Sequence, residues 1–155
     1  MPELTLQLAD EAASEALARS LAAAIQPRGA VIHLRGDLGA GKTTFARALL
    51  RALGWSGRVR SPTYTLVEAY DLPERRVVHA DLYRLSSARE VHELGLEERD
   101  PARDWLLVEW PERGNGALPA ADFELELRHA PLGRELQARA CSPWAAEVLR
   151  RATHR

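Results

Sequence analysis

The chain has 155 residues, 21 basic against 22 acidic for a formal net charge of −1, with 46% hydrophobic and 28% charged residues. That balance excludes a disordered polyelectrolyte and allows one well-filled core, so a single domain over 1–155 is expected. Near-neutral charge argues against a dedicated polyanion binder, and one cysteine, Cys141, excludes a disulfide within the chain.

The first segment, "MPELTLQLADEAASEALARS", lacks the basic-then-apolar run of a signal peptide, and no apolar stretch approaches 18 residues. A soluble, cytoplasmic protein with no membrane contact is the expectation. In chain order, "ELTLQL" alternates like a half-buried strand. Asp10 is placed to cap a helix running to about Ile25. "AVIHL" reads as a short buried strand, and "TTFARALLRALG" as a helix closed by Gly54. Four strand-like runs follow, "TYTLVEAY", "RVVHADLY", "WLLVEW" and "DFELELR", with a short capped helix in "SSAREVHEL". "ELQARA" predicts a last strand, and "PWAAEVLRRATHR" a terminal helix starting at a proline. Strands mixed with helices indicate an α/β domain. The short connections after Leu66 suit antiparallel pairs, so the sheet is expected to be mixed.

Lys42 is the only lysine among 21 basic residues, and it stands in "GDLGAGKTTF". Gly36, Gly41, Lys42 and Thr43 fit the pattern G-x-x-x-x-G-K-[ST] between the predicted strand and helix. Glycines let the backbone turn its amides inward toward phosphate oxygens, and the helix N-terminus adds its positive end. A slim ammonium stem fits such a cradle where a planar guanidinium would not. Lys42 can then reach β- and γ-phosphates, and the Thr43 hydroxyl can join a Mg²⁺ shell.

A P-loop needs a second acidic group near the metal and the attacking water. Glu109 ends the apolar run of "WLLVEW", and Asp81 ends that of "VVHADLY". Glu109 follows the more continuous run and is assigned the metal; Asp81 is left to orient water or to switch with nucleotide state, and the two roles are exchangeable on this reading. In "SPTYTLV", Thr63 and Thr65 suit either an ordinary strand or a loop sensing the γ-phosphate. The five histidines show no close pairing with Cys141 or each other, so no zinc site is expected, and no G-x-S-x-G motif is present.

"GDLGAGKTTF", "SPTYTLVEAY", "HADLYRL" and "LVEWPE" occur in this order, and the chain resembles the bacterial TsaE family, also called YjeE, from about Asp10 to Arg139. The resemblance implies a P-loop NTPase-like three-layer α/β/α fold with a mixed central sheet. It implies a small Mg²⁺-dependent ATPase for N6-threonylcarbamoyladenosine at position 37 of ANN-decoding tRNAs. Such an ATPase is weak alone and activated by partners. It would act on a TsaB–TsaD complex, whose TsaD carries the transfer chemistry, with ATP hydrolysis resetting that complex between turnovers. By matching motif, Asp37, Leu38, Gly39, Ala40, Gly41, Lys42, Thr43 and Thr44 hold the phosphates. Thr43 and Glu109 hold Mg²⁺, while Asp81, with Lys42, serves hydrolysis. Glu11, Ser14, Trp110 and Arg134 lie around the nucleotide, although "LGREL" would equally suit a surface arginine. The family analogy also implies a monomer alone that meets tRNA only through the complex. Two other functions stay open on the residues: a small-molecule kinase using the same P-loop, and a nucleotide-gated binding module whose hydrolysis is incidental.

Overall fold

The computed structural model describes residues 3–114 and 116–154. Strand β1 (Glu3–Leu8) leads into α1 (Glu11–Ile25), whose Asp10 cap accepts the Ala13 amide at 2.9 Å. Strand β2 (Ala30–Arg35) delivers the chain to a glycine loop, and α2 (Lys42–Ala52) follows. Gly54, at φ 109°, stops that helix as a residue with a Cβ could not without strain. Then come β3 (Val67–Asp71), β4 (Arg76–Asp81), α3 (Ala88–Glu93), β5 (Trp105–Glu109), β6 (Phe123–His129), β7 (Arg134–Ala140) and α4 (Pro143–Thr153). Ser87 and Ser142 cap α3 and α4 through their side chains, and Pro143 opens α4, where a missing N–H costs nothing.

Among the described residues, seven strands form one sheet in the order β1-β7-β6-β2-β5-β4-β3. The central pairs β6–β2, β2–β5 and β5–β4 are parallel, while β1–β7, β7–β6 and β4–β3 are antiparallel. The sheet is mixed, as expected. Short connections did not make every later pair antiparallel, however. The β4–β5 connection is long enough to carry α3, and β6 crosses to the far side of β2. "TYTLVEAY" also differs from the expected continuous strand: residues 62–65 form a turn, closed by the Leu66 amide on Pro62 O at 2.8 Å, and pairing begins only at Val67.

Alternation along the strands divides the core. Ile32 and Leu34 of β2, Trp105 and Leu107 of β5, Phe123 and Leu125 of β6 and Leu136 of β7 pack with α1, α2 and α4 on one face. Val31, Ala80, Leu106 and Val108 pack on the other face with α3 and its flanking loops. Each fully buried Leu or Phe contributes about 1.5–3 kcal/mol over an exposed one, so the thick helical face carries most of the stability. Among the described residues no helix is long and apolar enough to cross a membrane. The parallel core matters for the site because it brings the C-terminal ends of β2, β4 and β5 together beside the start of α2.

Candidate functional site

The loop from Gly36 to Gly41 is shaped by backbone angles that side chains resist. Gly36 sits at φ 144°, and a Cβ there would lie 2.5 Å from the Leu127 carbonyl oxygen, so only glycine fits against β6. Gly41, at φ 109°, caps α2 without offering a side-chain acceptor. The first-turn amides of α2 are therefore available to an outside anion, at the positive end of the helix.

Lys42 is buried. Its Nζ donates to Gly36 O and to Asp37 O (3.1 Å), and stands 4.1 Å from the centroid of the Trp110 ring. Burial lowers its pKa, against the opposing pull of Glu109, Asp81, Glu112 and Asp37. Trp110 holds this place with a left-handed backbone, φ 57°, which costs a bulky residue about 1–3 kcal/mol. Its amide on Leu34 O (3.3 Å) and its ring 4.8 Å from that of Tyr83 fix the turn.

Adjacent registration of β4 and β5 sets Asp81 beside Glu109. The Thr43 hydroxyl, on the first turn of α2, reaches both Glu109 oxygens at 2.9 and 3.0 Å. Asp81 Oδ1 accepts the Tyr83 amide at 2.9 Å. Burial pushes the Asp81 pKa up and the Glu109 charge adds to it, while the Tyr83 amide, His79 and Lys42 pull it down. Thus Lys42, Thr43, Asp81 and Glu109 share one cleft of about 230 Å³, which Leu38, Gly39, Gly41, Thr44, Thr63, Trp110 and Arg134 also line. Of the remaining loop residues, Asp37 turns its carbonyl to Lys42 and to the Ala40 amide, and Ala40 itself is buried.

Arg134, at the start of β7, lies against the glycine loop. Its Nε donates to Ala40 O at 3.0 Å and its Nη2 to Gly39 O at 3.4 Å. Glu11 and Ser14 are not in the Lys42 cleft. They line a neighbouring groove between α1 and α2, together with Arg47 and Arg51, and Thr44 belongs to both spaces. In "SPTYTL", Thr63 faces the cleft, Thr65 donates to Glu68 at 3.0 Å, and Tyr64 is exposed under the Arg84 guanidinium.

Two residues of the site were missed by sequence reasoning: Tyr83, which lines the cleft and whose amide holds Asp81, and His79. His79 is fully buried, and its Nε2 is 2.6 Å from Glu109 Oε2. The available signal was a lone polar residue in the otherwise apolar run "VVHA".

The family model of TsaE, threonylcarbamoyl adenosine biosynthesis protein, matches residues 8–136, which include all four motifs. The chain belongs to the TsaE family. It is 40% identical over 107 residues to the tRNA threonylcarbamoyladenosine biosynthesis protein TsaE of Haemophilus influenzae, covering 69% of this chain and 68% of that one. Against the Bacillus subtilis TsaE the identity is 34% over 130 residues, with 84% and 80% covered. A crystal structure of Bacillus subtilis YdiB superposes with a TM-score of 0.79 at 27% identity, covering 98% of this chain and 95% of that one. As a TsaE-family protein, the chain serves tRNA threonylcarbamoyladenosine biosynthesis on an α/β P-loop-like fold.

Proposed function

We propose that the chain is a Mg²⁺-dependent P-loop ATPase, weak alone, that acts on a TsaB–TsaD complex and resets it between turnovers. The turnovers are transfers of threonylcarbamoyl to adenosine 37 of ANN-decoding tRNAs. One observation carries this reading: Lys42, Thr43, Glu109 and Asp81 meet in a single cleft at the N-terminus of α2. The amides of Leu38, Gly39 and Gly41 to Thr44 would take the ATP phosphates, the Ala40 amide being held by Asp37 O, and Lys42 would exchange the carbonyls of Gly36 and Asp37 for phosphate oxygens.

The donors also suit Mg²⁺, a hard ion that takes oxygen ligands, because a hydroxyl and a carboxylate already touch at the Thr43–Glu109 contact. Thr43 and Glu109 would hold the ion, which when bound supplies charge neutralisation at the β- and γ-phosphates. Asp81 would hold the attacking water. As the new oxygen–phosphorus bond forms, the bond to ADP breaks and the water's proton passes toward Asp81, whose raised pKa improves it as an acceptor. Arg134 would keep the loop carbonyls of Gly39 and Ala40 turned away from the phosphates. Trp110, stacked on Lys42, would lie beside the bound nucleotide. The groove at Glu11 and Ser14 would receive the nucleoside end.

A net charge of −1 favours contact with tRNA through the complex rather than alone, with the isolated chain a monomer. The test is phosphate release from Mg-ATP by the chain alone and with TsaB and TsaD. Slow release that rises with the pair and vanishes in Lys42→Ala is expected. Release that is already fast and indifferent to the pair, or phosphate found on an added metabolite instead of in solution, would refute the proposal.

A further inference from the structure

His79 lies on the face of β4 that α2 covers, one pleat before Asp81 and opposite Leu107 in the register with β5. An apolar side chain would be the ordinary occupant, since Val77 before it and Leu107 beside it belong to the same hydrophobic core. The imidazole is 0% exposed and the Glu109 side chain 3%. Within that buried space the Nε2–Oε2 contact at 2.6 Å is the only polar contact of the ring among the described residues, because Nδ1 is buried without a partner there. Leaving one ring nitrogen unsatisfied is costly. A histidine serving packing alone would gain nothing from that arrangement.

We propose that His79 is a positioning residue: its Nε2–H fixes the Glu109 carboxylate in the plane and rotamer needed to hold Mg²⁺ with Thr43. A carboxylate oxygen only accepts, so the proton shared in this contact is carried by Nε2. The bond occupies Oε2 from the sheet side, while Thr43 reaches the same carboxylate from α2. Two donors from two rigid elements leave the carboxylate no free rotation, and Oε1 keeps lone pairs for the ion. Supporting partners of metal-binding carboxylates are commonly worth 10–100-fold in metal affinity. The inference rests on the Mg²⁺-ATPase reading above, and it adds a residue that touches neither nucleotide nor metal.

The experiment replaces His79 by Leu, which keeps bulk without a donor, and by Gln, whose amide nitrogen comes near the place of Nε2. Mn²⁺ is titrated into the protein–ATP complex and followed by electron paramagnetic resonance, with ATP affinity in EDTA and the melting temperature measured beside it. His79→Leu should weaken Mn²⁺ by about 10-fold or more while EDTA-state ATP affinity stays within about 2-fold, and His79→Gln should recover most of the loss. Should His79→Leu not fold, His79→Asn replaces it. Its shorter amide reaches only toward the Nδ1 position, so it should show the same loss. Parental Mn²⁺ affinity in the donorless variant, or a Gln variant no better than Leu at equal melting temperature, overturns the inference. Glu109→Gln separates the two levels. If it binds Mn²⁺ like the parent, the metal reading falls and His79's role with it; if it loses Mn²⁺ while His79→Leu does not, only the role of His79 falls.

Discussion

Exchanging the one lysine for the residue used at every other basic position, Lys42→Arg, keeps the charge and changes the shape. Lys42 is 5% exposed, and its ammonium has two carbonyl acceptors and one aromatic face around it. A guanidinium carries five N–H donors in a rigid plane, so in this space some would face the Trp110 ring or the wall of α2 without an acceptor. Overpacking of this kind costs about 1–3 kcal/mol of stability. A hydrogen bond from a charged donor to a phosphate is worth about 1.5–3 kcal/mol net, and a displaced guanidinium forfeits most of it. ATP affinity should therefore fall about 10–150-fold.

Lys42→Met separates charge from shape. It should lose ATP binding comparably, yet unfold at an equal or higher urea concentration, because it removes a cation whose pKa is already depressed by burial. The assays are titration with a fluorescent ATP analogue and urea unfolding. An arginine variant that binds ATP within threefold of the parent and unfolds with the parental free energy would refute the argument that this cradle selects an ammonium.

Two further outcomes follow from the same geometry. Asp81→Asn can keep the Tyr83 amide bond, so ATP binding should stay within about threefold while hydrolysis falls at least 100-fold, read from phosphate release. Its stability carries a sign: a folded pKa above the unfolded one means that ionised Asp81 costs stability above that raised value, and the cost disappears as pH falls below the ordinary aspartate pKa. Asp81→Asn should thus be more stable than the parent at pH 7, with the advantage fading in acid; a variant less stable at pH 7 would contradict the burial argument. Arg134→Ala removes the donors to Ala40 O and Gly39 O and should weaken ATP binding about fivefold, equivalent to about 1 kcal/mol, without rescue by lysine, which lacks the planar fork. Unchanged affinity in Arg134→Ala would show that the loop holds its shape without β7.

Local pattern was enough for much of this molecule. The Asp10 cap, the proline start of α4 and the glycine stop of α2 are interactions within a few residues, so the sequence alone determined those boundaries. The spacing of Gly36, Gly41, Lys42 and Thr43 likewise announced a phosphate loop, because the glycines are demanded by backbone angles at those positions. What tertiary structure decided is where pieces distant in the chain meet. Strand-like residues in "TYTL" were overridden by the turn that brings Thr63 to the cleft, and β1 pairs with β7, more than a hundred residues away. Nothing local could tell that β6 lies beside β2, which sets Gly36 against the Leu127 carbonyl, or that Arg134 would reach the loop. Glu109 and Asp81 were each visible as a carboxylate ending an apolar run. Only pairing of β4 with β5 put them side by side, with His79 beneath, because a strand's residues state which face is buried but not which strand will be its neighbour.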